Sequence, residues 1–317
     1  MRDIHVLFEL TSNCNLKCLH CYNESGPSCV DDMTDRQVQD FVEDVAKLKP
    51  RSFCFYGGEP LLRSNLLCRL SGFLSYNGIT TTMVSNGFLI DAEMARRLRE
   101  FGISIVQLSM DGEKGSHNRL RQHPHSHDRV LAALGHLRQQ EITVILAFCP
   151  TRWNTQDLAA IIKIAESHGV QEIRVQRMMP TGQASQHPGI LPTEDQYRSL
   201  FKKIHQHNVA YIQGRSKVKI QWDDCIHQVY LARDNPDGHK ASLLYVRPNG
   251  DLSACSYLPI TLGNVTKYPP TRYWDAGFEN AWQLDIMKER AAFLTTVTHM
   301  DAVGDPVSYD LVEAQNG

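Results

Sequence analysis

The sequence predicts an α/β fold with a largely parallel sheet, because strand and helix patterns alternate along its first two thirds. Apolar, β-branched runs indicate strands at 4–10, 52–56, 80–85, 103–109, 143–148 and 172–176. Amphipathic stretches predict helices at 34–49, 64–76, 91–101, 126–140, 155–168 and 193–208. Successive strand–helix units imply parallel strands with right-handed crossovers. Periodicity alone leaves open a partial barrel or an open doubly wound sheet, and both place reactive groups at the carboxyl ends of the strands.

The ends of the helices and a change of pattern define the organisation further. Thr34 with Gln37 predicts a capping box, and Asp91 is a suitable N-cap. After residue 210 the regular alternation stops: strands are expected at 217–221 and in a hairpin at 243–255, followed by a helix at 278–294. We therefore expect two domains, 1–210 and 211–317, the second a small α+β domain.

Composition excludes several classes of protein. The 317 residues are 42% hydrophobic and 21% charged, as in ordinary globular proteins. The 33 basic and 35 acidic residues give a net charge of −2, which argues against a nucleic-acid partner bound through a broad basic surface. No apolar run approaches the roughly 20 residues that span a membrane, and the N-terminus lacks a signal peptide. We expect a cytoplasmic protein without a membrane partner.

Three of the nine cysteines, Cys14, Cys18 and Cys21, follow the first predicted strand within eight residues. Thiolates at this spacing in one loop can converge on a metal centre, and thiolates are the usual ligands of iron–sulfur clusters. Three ligands on a four-iron cube leave one iron open for a small molecule. The spacing alone also permits a structural zinc site completed by Cys29 or His20.

A second motif, Gly57-Gly58-Glu59-Pro60, directly follows the second predicted strand. By itself this motif favours an ordinary turn over a ligand site, although two glycines allow the backbone to approach a ligand closely. Together with residues 11–22, which include the three cysteines and Tyr22, it resembles the radical S-adenosylmethionine (SAM) superfamily. The resemblance implies that Cys14, Cys18 and Cys21 hold a [4Fe–4S] cluster and act in catalysis. It also implies that Gly57, Gly58, Glu59 and Pro60 bind the amino group of SAM, and that Tyr22 fills the aromatic position of the cluster loop.

Further matches to this family follow later strands and cover the chain to about residue 210. Ser85 and Asn86 follow the third strand, and Ser109 and Asp111 follow the fourth. The resemblance implies that these residues contact the ribose and carboxylate of SAM. Arg121 lies in a stretch similar to the family's His-Asp-x-x-Arg, with Asn118 in place of aspartate, and the resemblance implies that Arg121 also contacts SAM. The implied fold is the partial (βα)6 TIM-like barrel.

Two other groups of residues have less specific patterns. His117, His123, His125 and His127 are spaced for no single face, so we expect a solvated loop rather than a metal site. Met178 and Met179 resemble a family stretch that passes near the adenine of SAM, but they equally suit a plain apolar core.

The C-terminal third resembles the SPASM or twitch domains of peptide-modifying radical SAM enzymes. In those families, residues equivalent to Cys225 and Cys255 help bind an auxiliary iron–sulfur cluster. No cysteine follows Cys255, so missing ligands would have to come from His227, His239, His299 or a carboxylate. We expect that the auxiliary cluster is absent, with both cysteines retained in a degenerate domain.

The resemblance implies an enzyme that reductively cleaves SAM to a 5′-deoxyadenosyl radical, which abstracts hydrogen from a substrate. A reductant such as flavodoxin or ferredoxin would supply the electron. The SPASM-like region favours a ribosomally made peptide that undergoes crosslinking, thioether formation or epimerisation. Two alternatives remain at this point: an enzyme of small-molecule or cofactor biosynthesis in the same superfamily, and a non-catalytic iron–sulfur or zinc-binding regulatory protein.

Overall fold

A computed structural model describes residues 3–23, 25–26, 31–223, 226–235, 238–294 and 305–315. Its strands are β1 (His5–Thr11), β2 (Ser52–Gly57), β3 (Thr80–Ser85), β4 (Ile103–Ser109), β5 (Thr143–Phe148), β6 (Glu172–Gln176), β7 (Lys219–Asp223), β8 (Leu243–Val246), β9 (Asp251–Ser253), β10 (Ile260–Thr261), β11 (Gly263–Asn264) and β12 (Val307–Ser308). Its helices are α1 (Asp35–Lys47), α2 (Ser64–Tyr76), α3 (Ala92–Glu100), α4 (Lys114–Arg121), α5 (Ser126–Gln139), α6 (Leu158–Ser167), α7 (Glu194–Ile212), α8 (His227–Asp234), α9 (Pro270–Asp275), α10 (Asp285–Phe293) and α11 (Leu311–Ala314). The six strands predicted for the first two thirds are therefore all present.

The chain forms two compact units, and the first contains residues 1–13, 28–82 and 225–317. In this unit β1 lies between β2 and β8 and is parallel to both. The hairpin partner β9 is antiparallel to β8, and β11 is antiparallel to β9. The short strands β10 and β12 pair with each other in parallel.

An aromatic cluster forms the core of the first unit beneath α1. Phe8 of β1 packs against Phe41 of α1 and against Phe53 and Phe55 of β2, with ring centroids 5.0–6.5 Å from Phe8. All four side chains are almost fully buried. Because successive side chains alternate across a strand, Phe8 and Glu9 point to opposite faces of β1. The capping box predicted at Thr34 is confirmed and fixes the start of α1.

The second unit contains residues 14–27 and 83–224, and β3 crosses the boundary between the units. Its strands β4, β5, β6 and β7 pair in that order, each parallel to the next. Leu108, Leu146 and Ile173 are completely buried, as expected for parallel strands covered by crossover helices. These parallel pairs place the segments that follow the strands at one edge of this sheet.

The structure departs from the sequence prediction at several elements. Helix α4 was not predicted, and neither were α8 and α9. The single helix expected at 278–294 is a 3₁₀ turn (Phe278–Gln283) followed by α10, because Leu284 adopts an extended conformation between them. The strand expected at 217–221 is β7, shifted by two residues. The proposed domain boundary near residue 210 stays a prediction.

Candidate functional site

The loop that carries Cys14, Cys18 and Cys21 follows β1 and belongs to the second unit. All three thiols are half-buried and form no disulfide. The Sγ of Cys14 accepts the backbone N–H of Leu16 at 3.5 Å and lies 3.9 Å from Nδ2 of Asn86. Such N–H donors stabilise a thiolate, so Cys14 is in a setting suited to a metal ligand.

Asp111 and Arg121, both predicted as SAM contacts, pair with each other behind Cys18. Nε and Nη2 of Arg121 each lie 2.7 Å from Oδ2 of Asp111, and Nη1 lies 3.9 Å from the Sγ of Cys18. Nε2 of His20 is 3.3 Å from the same carboxylate oxygen. Oδ1 of Asp111 accepts the backbone N–H of Cys149 at 3.2 Å. Both carboxylate oxygens are therefore engaged by protein groups.

These contacts determine the charge states of the buried groups. Burial opposes ionisation of Asp111, but the charges of Arg121 and His20 outweigh it and hold the pKa of that carboxyl well below its usual range. Burial raises the pKa of the Cys18 thiol to about 12, and Arg121 offsets only part of this effect. Without a bound metal the Cys18 thiol is therefore protonated at neutral pH, and a metal that binds it would displace the proton.

Tyr22 connects the end of the cysteine loop to the segment after β6 through its backbone. Its carbonyl oxygen accepts a hydrogen bond from Oγ1 of Thr181 at 3.1 Å. The carbonyl of Cys21 accepts the N–H of Ala184 at 2.9 Å. Met178 is completely buried beside Ala184, so it occupies an apolar core position. The segment after β6 therefore holds the end of the loop in place.

Asn86 and the two predicted serines lie at the carboxyl ends of β3 and β4, as expected. Nδ2 of Asn86 donates to Oδ1 of Asn15 at 2.8 Å, which ties this residue to the cysteine loop. Oγ of Ser85 accepts the N–H of Gly87 at 3.0 Å and shapes the turn. Ser109 is the last residue of β4 and is half-buried. Asn15 was not singled out from the sequence, because it is one of many polar loop residues.

In the first unit, the turn Gly57–Pro60 is bound to the segment that directly precedes the cysteines. The N–H of Gly58 donates to the carbonyl of Thr11, and the N–H of Glu59 donates to that of Asn13, both at 2.8 Å. A Cβ atom on Gly58 would lie 2.0 Å from the carbonyl oxygen of Asn13, so only glycine fits there. Glu59 is fully buried, and its Oε1 accepts the N–H of Leu61 at 3.2 Å.

Asp32 binds the same segment from the other side, and no pattern in the sequence indicated this contact. Its carboxylate accepts the N–H of Ser12 at 3.2 Å and the hydroxyl of Thr11 at 2.5 Å. The hydroxyl of Ser12 donates to it as well. The approach to Cys14 is thus fixed by hydrogen bonds from the Gly57–Pro60 turn and from Asp32.

A buried acid lies on the opposite face of β1 from the aromatic core. Glu9 is only 4% exposed and accepts a hydrogen bond from the hydroxyl of Tyr245 in β8. Tyr56 of β2 is opposite Glu9, and its ring is 6.0 Å from that of Tyr245. Burial and the nearby carboxylate raise the pKa of Tyr245 well above its usual value. A carboxylate buried in an apolar strand requires a hydrogen-bond partner. The presence of Glu9 in a predicted apolar strand was therefore the sequence signal that such a partner exists.

Only some of the residues considered as ligands of an auxiliary cluster lie among the described residues. Cys255 is buried, and its Sγ accepts the N–H of Tyr257 at 3.5 Å. Burial raises the pKa of this thiol. Cys225 and His299 lie outside the described residues, as does Cys29. The ring of His239 packs against Trp282, with centroids 5.8 Å apart.

The histidine group is partly buried, contrary to the expectation of a solvated loop. His117 is completely buried: its Nδ1 accepts the N–H of Asp111, and its Nε2 is 3.0 Å from Oγ of Ser126. His127 is also buried, whereas His125 is exposed. Burial and the charge of Arg121 lower the pKa of His117 to about 3. This histidine is therefore neutral and structural at neutral pH.

We expect the free energy of unfolding to fall as the pH drops from about 6.5 to 5. In this range the unfolded chain binds a proton at His117, whereas the folded chain does not. Each fall of one pH unit therefore lowers the free energy of unfolding by up to about 1.4 kcal/mol per histidine. The variant His117→Gln should lose this contribution to the slope in urea denaturation at several pH values. The exposed His125→Gln is the control and should keep the wild-type slope; equal slopes in all three proteins would contradict the assignment.

The donor set fits an iron–sulfur cluster better than one metal ion. Within the described part of the chain, no three His, Cys, Asp or Glu side chains are close enough to hold a single ion. A tetrahedral zinc ion needs ligands converged at about 2.0–2.3 Å, whereas a cube of four irons spreads its thiolates over separate corners. His20, a candidate zinc ligand, instead contacts Asp111.

Comparison with known proteins agrees with this chemistry. Residues 8–165 match the model of the radical SAM superfamily. The chain is similar to the AdoMet-dependent heme synthase of Methanosarcina barkeri, with 23% identity over 85% of this chain and 81% of that protein. It is also similar to the mycofactocin maturase MftC of Mycolicibacterium smegmatis, with 26% identity over 88% of this chain and 70% of that protein.

The fold is shared with solved structures of this superfamily. The chain superposes on anSMEcpe, solved with bound AdoMet and a peptide, with a TM-score of 0.68, 16% identity and coverage of 99% of this chain and 94% of that chain. This confirms the predicted fold class, an α/β fold with a parallel sheet like that of the partial TIM-like barrels. No helix in the described residues combines the length and apolar character needed to cross a membrane. Residues 8–165 are therefore a radical SAM domain, and the chain is an enzyme of the radical SAM superfamily.

Proposed function

We propose that Cys14, Cys18 and Cys21 bind the [4Fe–4S] cluster that membership of this superfamily implies. The observation that carries this proposal is the loop itself: three half-buried thiols outside any disulfide, with N–H donors beside Cys14 and a guanidinium beside Cys18. When bound, the cluster supplies the electron that cleaves SAM into methionine and a 5′-deoxyadenosyl radical, which abstracts hydrogen from the substrate.

The residues of the chain bind and orient the two cofactors. In the Gly57–Pro60 turn both glycines lie against the backbone of residues 9–13, which fixes the course of the turn that we propose binds the amino group of SAM, with Glu59 buried beside it. Asn86 and Leu16 hold Cys14, while Arg121 holds Cys18. Ser85, Ser109 and Asp111 stay proposed contacts of the ribose and carboxylate of SAM.

The test is a triple variant, Cys14→Ala/Cys18→Ala/Cys21→Ala, reconstituted anaerobically with iron and sulfide. Wild-type protein should bind about four irons per chain and form 5′-deoxyadenosine from SAM with dithionite, and the variant should do neither. Cys68→Ala, which removes a buried thiol from α2, is the matched control and should behave like wild type. Iron binding or 5′-deoxyadenosine formation retained by the triple variant would refute the proposal.

For the C-terminal residues 211–317 we propose a SPASM- or twitch-like domain without an auxiliary cluster. The supporting observations are that Cys255 is buried and that no cysteine follows it in these 317 residues to complete a set of thiolate ligands. The expected iron content is therefore about four per chain rather than about eight, and Cys255→Ala should leave it unchanged.

We propose a ribosomally made peptide as the substrate, modified in the cytoplasm with flavodoxin or ferredoxin as the reductant. The similarity to MftC and to a peptide-bound structure supports a peptide. The similarity to a heme synthase over most of the chain favours a second candidate, a tetrapyrrole or other small molecule. The test compares a short peptide encoded beside the gene with iron coproporphyrin III. A mass loss of two hydrogens or deuterium uptake from D₂O in the peptide supports the first; a changed porphyrin mass supports the second.

A further inference from the structure

We propose that Arg121 is a positioning residue for the cluster, acting through Cys18 and raising the reduction potential even when SAM is absent. This inference rests on the proposed function of the cysteine loop. It assigns Arg121 a role other than the SAM contact that the family resemblance implies.

The orientation of Arg121 is fixed by groups that are themselves buried. Two of its nitrogens lie 2.7 Å from Oδ2 of Asp111, whose side chain is 1% exposed, while that of Arg121 is 9% exposed. Asp111 is fixed in turn by the N–H of Cys149 at 3.2 Å and by His20 at 3.3 Å. With Nε and Nη2 occupied in this way, the guanidinium directs Nη1 to the Sγ of Cys18, at 3.9 Å.

The backbone joins the same two segments at the adjacent positions. The N–H of Leu19, which follows Cys18, donates to the carbonyl of Leu120, which precedes Arg121, at 2.9 Å. The end of α4 and the middle of the cysteine loop are therefore bound together by both backbone and side chain. This double attachment means that the guanidinium stays beside Cys18 rather than turning towards solvent.

The charges predict the direction of the effect on reduction. Adding an electron makes the cluster more negative, so a buried cation beside a ligand stabilises the reduced form and raises the potential. The Asp111 carboxylate acts in the opposite sense and partly cancels the cation. Removing the cation and removing the anion should therefore shift the potential in opposite directions, which a loss of packing would not do.

The experiment measures the midpoint potential of the reconstituted cluster without SAM, by EPR-monitored redox titration, and iron per chain in parallel. Arg121→Gln should shift the potential to more negative values, and Asp111→Asn should shift it to more positive values. The double variant should lie between them. Arg119→Gln, exposed on the same helix and stacked on Trp153, is the matched control and should keep the wild-type potential.

The outcomes separate this role from the alternatives. An unchanged potential in Arg121→Gln with a full complement of iron overturns the proposal, even if SAM binding measured by equilibrium dialysis is weaker. If Arg121→Gln alone does not hold iron, the double variant decides: a potential more negative than that of Asp111→Asn supports the proposal, and an equal or more positive potential overturns it. Iron bound by the triple cysteine variant would instead refute the proposed function, so the two failures are distinguishable.

Discussion

Replacing Gly58 with alanine should lower SAM cleavage by about 100-fold or more and destabilise the protein by at least about 3 kcal/mol. The added Cβ would lie 2.0 Å from the carbonyl oxygen of Asn13 and 2.9 Å from that of Ser12. Both are backbone atoms, so no side chain can turn away to relieve the clash. The segment they belong to directly precedes Cys14, and its movement would displace the proposed iron ligand.

The measurement combines 5′-deoxyadenosine formation with urea denaturation. Gly115→Ala is the matched control, because Gly115 lies in α4 and a Cβ there meets nothing within 4 Å. This control should be as active as wild type and up to about 1 kcal/mol more stable, since alanine favours a helix over glycine. Wild-type activity in Gly58→Ala would show that the close approach of the two backbones is not needed for function.

The strands of the fold could be predicted from the sequence, because buried parallel strands are continuous apolar runs with clear ends. The limits of β3 to β6 agree with the prediction residue by residue. Helix α4 could not be predicted in this way. It buries only His117, Leu120 and Arg121 and contains Gly115, so it has no apolar stripe that indicates a helix.

The site residues that belong to short sequence motifs could be predicted. The contacts between segments that are far apart in the sequence could not. The cysteine loop and the Gly57–Pro60 turn are short motifs at strand ends. The pair Glu9 and Tyr245 joins residues 236 positions apart, and it depends on the pairing of β1 with β8. Arg121 was singled out as a contact of SAM, but its bond to Asp111 and its approach to Cys18 follow from how α4 packs. Such contacts depend on tertiary structure, which a local pattern does not encode.

Replacing Gly263 with alanine should destabilise the first unit by about 3 kcal/mol or more. Gly263 has a φ of +151°, and a Cβ there would lie 2.1 Å from Cε1 of Tyr273. The ring of Tyr273 is completely buried, and its hydroxyl accepts the N–H of Asn264 at 2.9 Å. The ring therefore has no space to move into, and a shift would also break the bond that holds β11 beside α9.

Thermal and urea denaturation of three variants separates steric clash from backbone strain. Gly277→Ala is the control for strain: Gly277 has a φ of +88°, and the atom nearest to a Cβ there would be Nδ2 of Asn280, at 3.9 Å. Gly277→Ala should lower the free energy of unfolding by about 1–2 kcal/mol, the usual penalty for a residue other than glycine in the left-handed region. Tyr273→Phe removes the hydroxyl and keeps the ring, so it should cost about 1 kcal/mol. If Gly263→Ala proved no more destabilising than Gly277→Ala, the clash with the ring would be relieved by local rearrangement, and the packing of Tyr273 against β11 would not be a major source of stability in this unit.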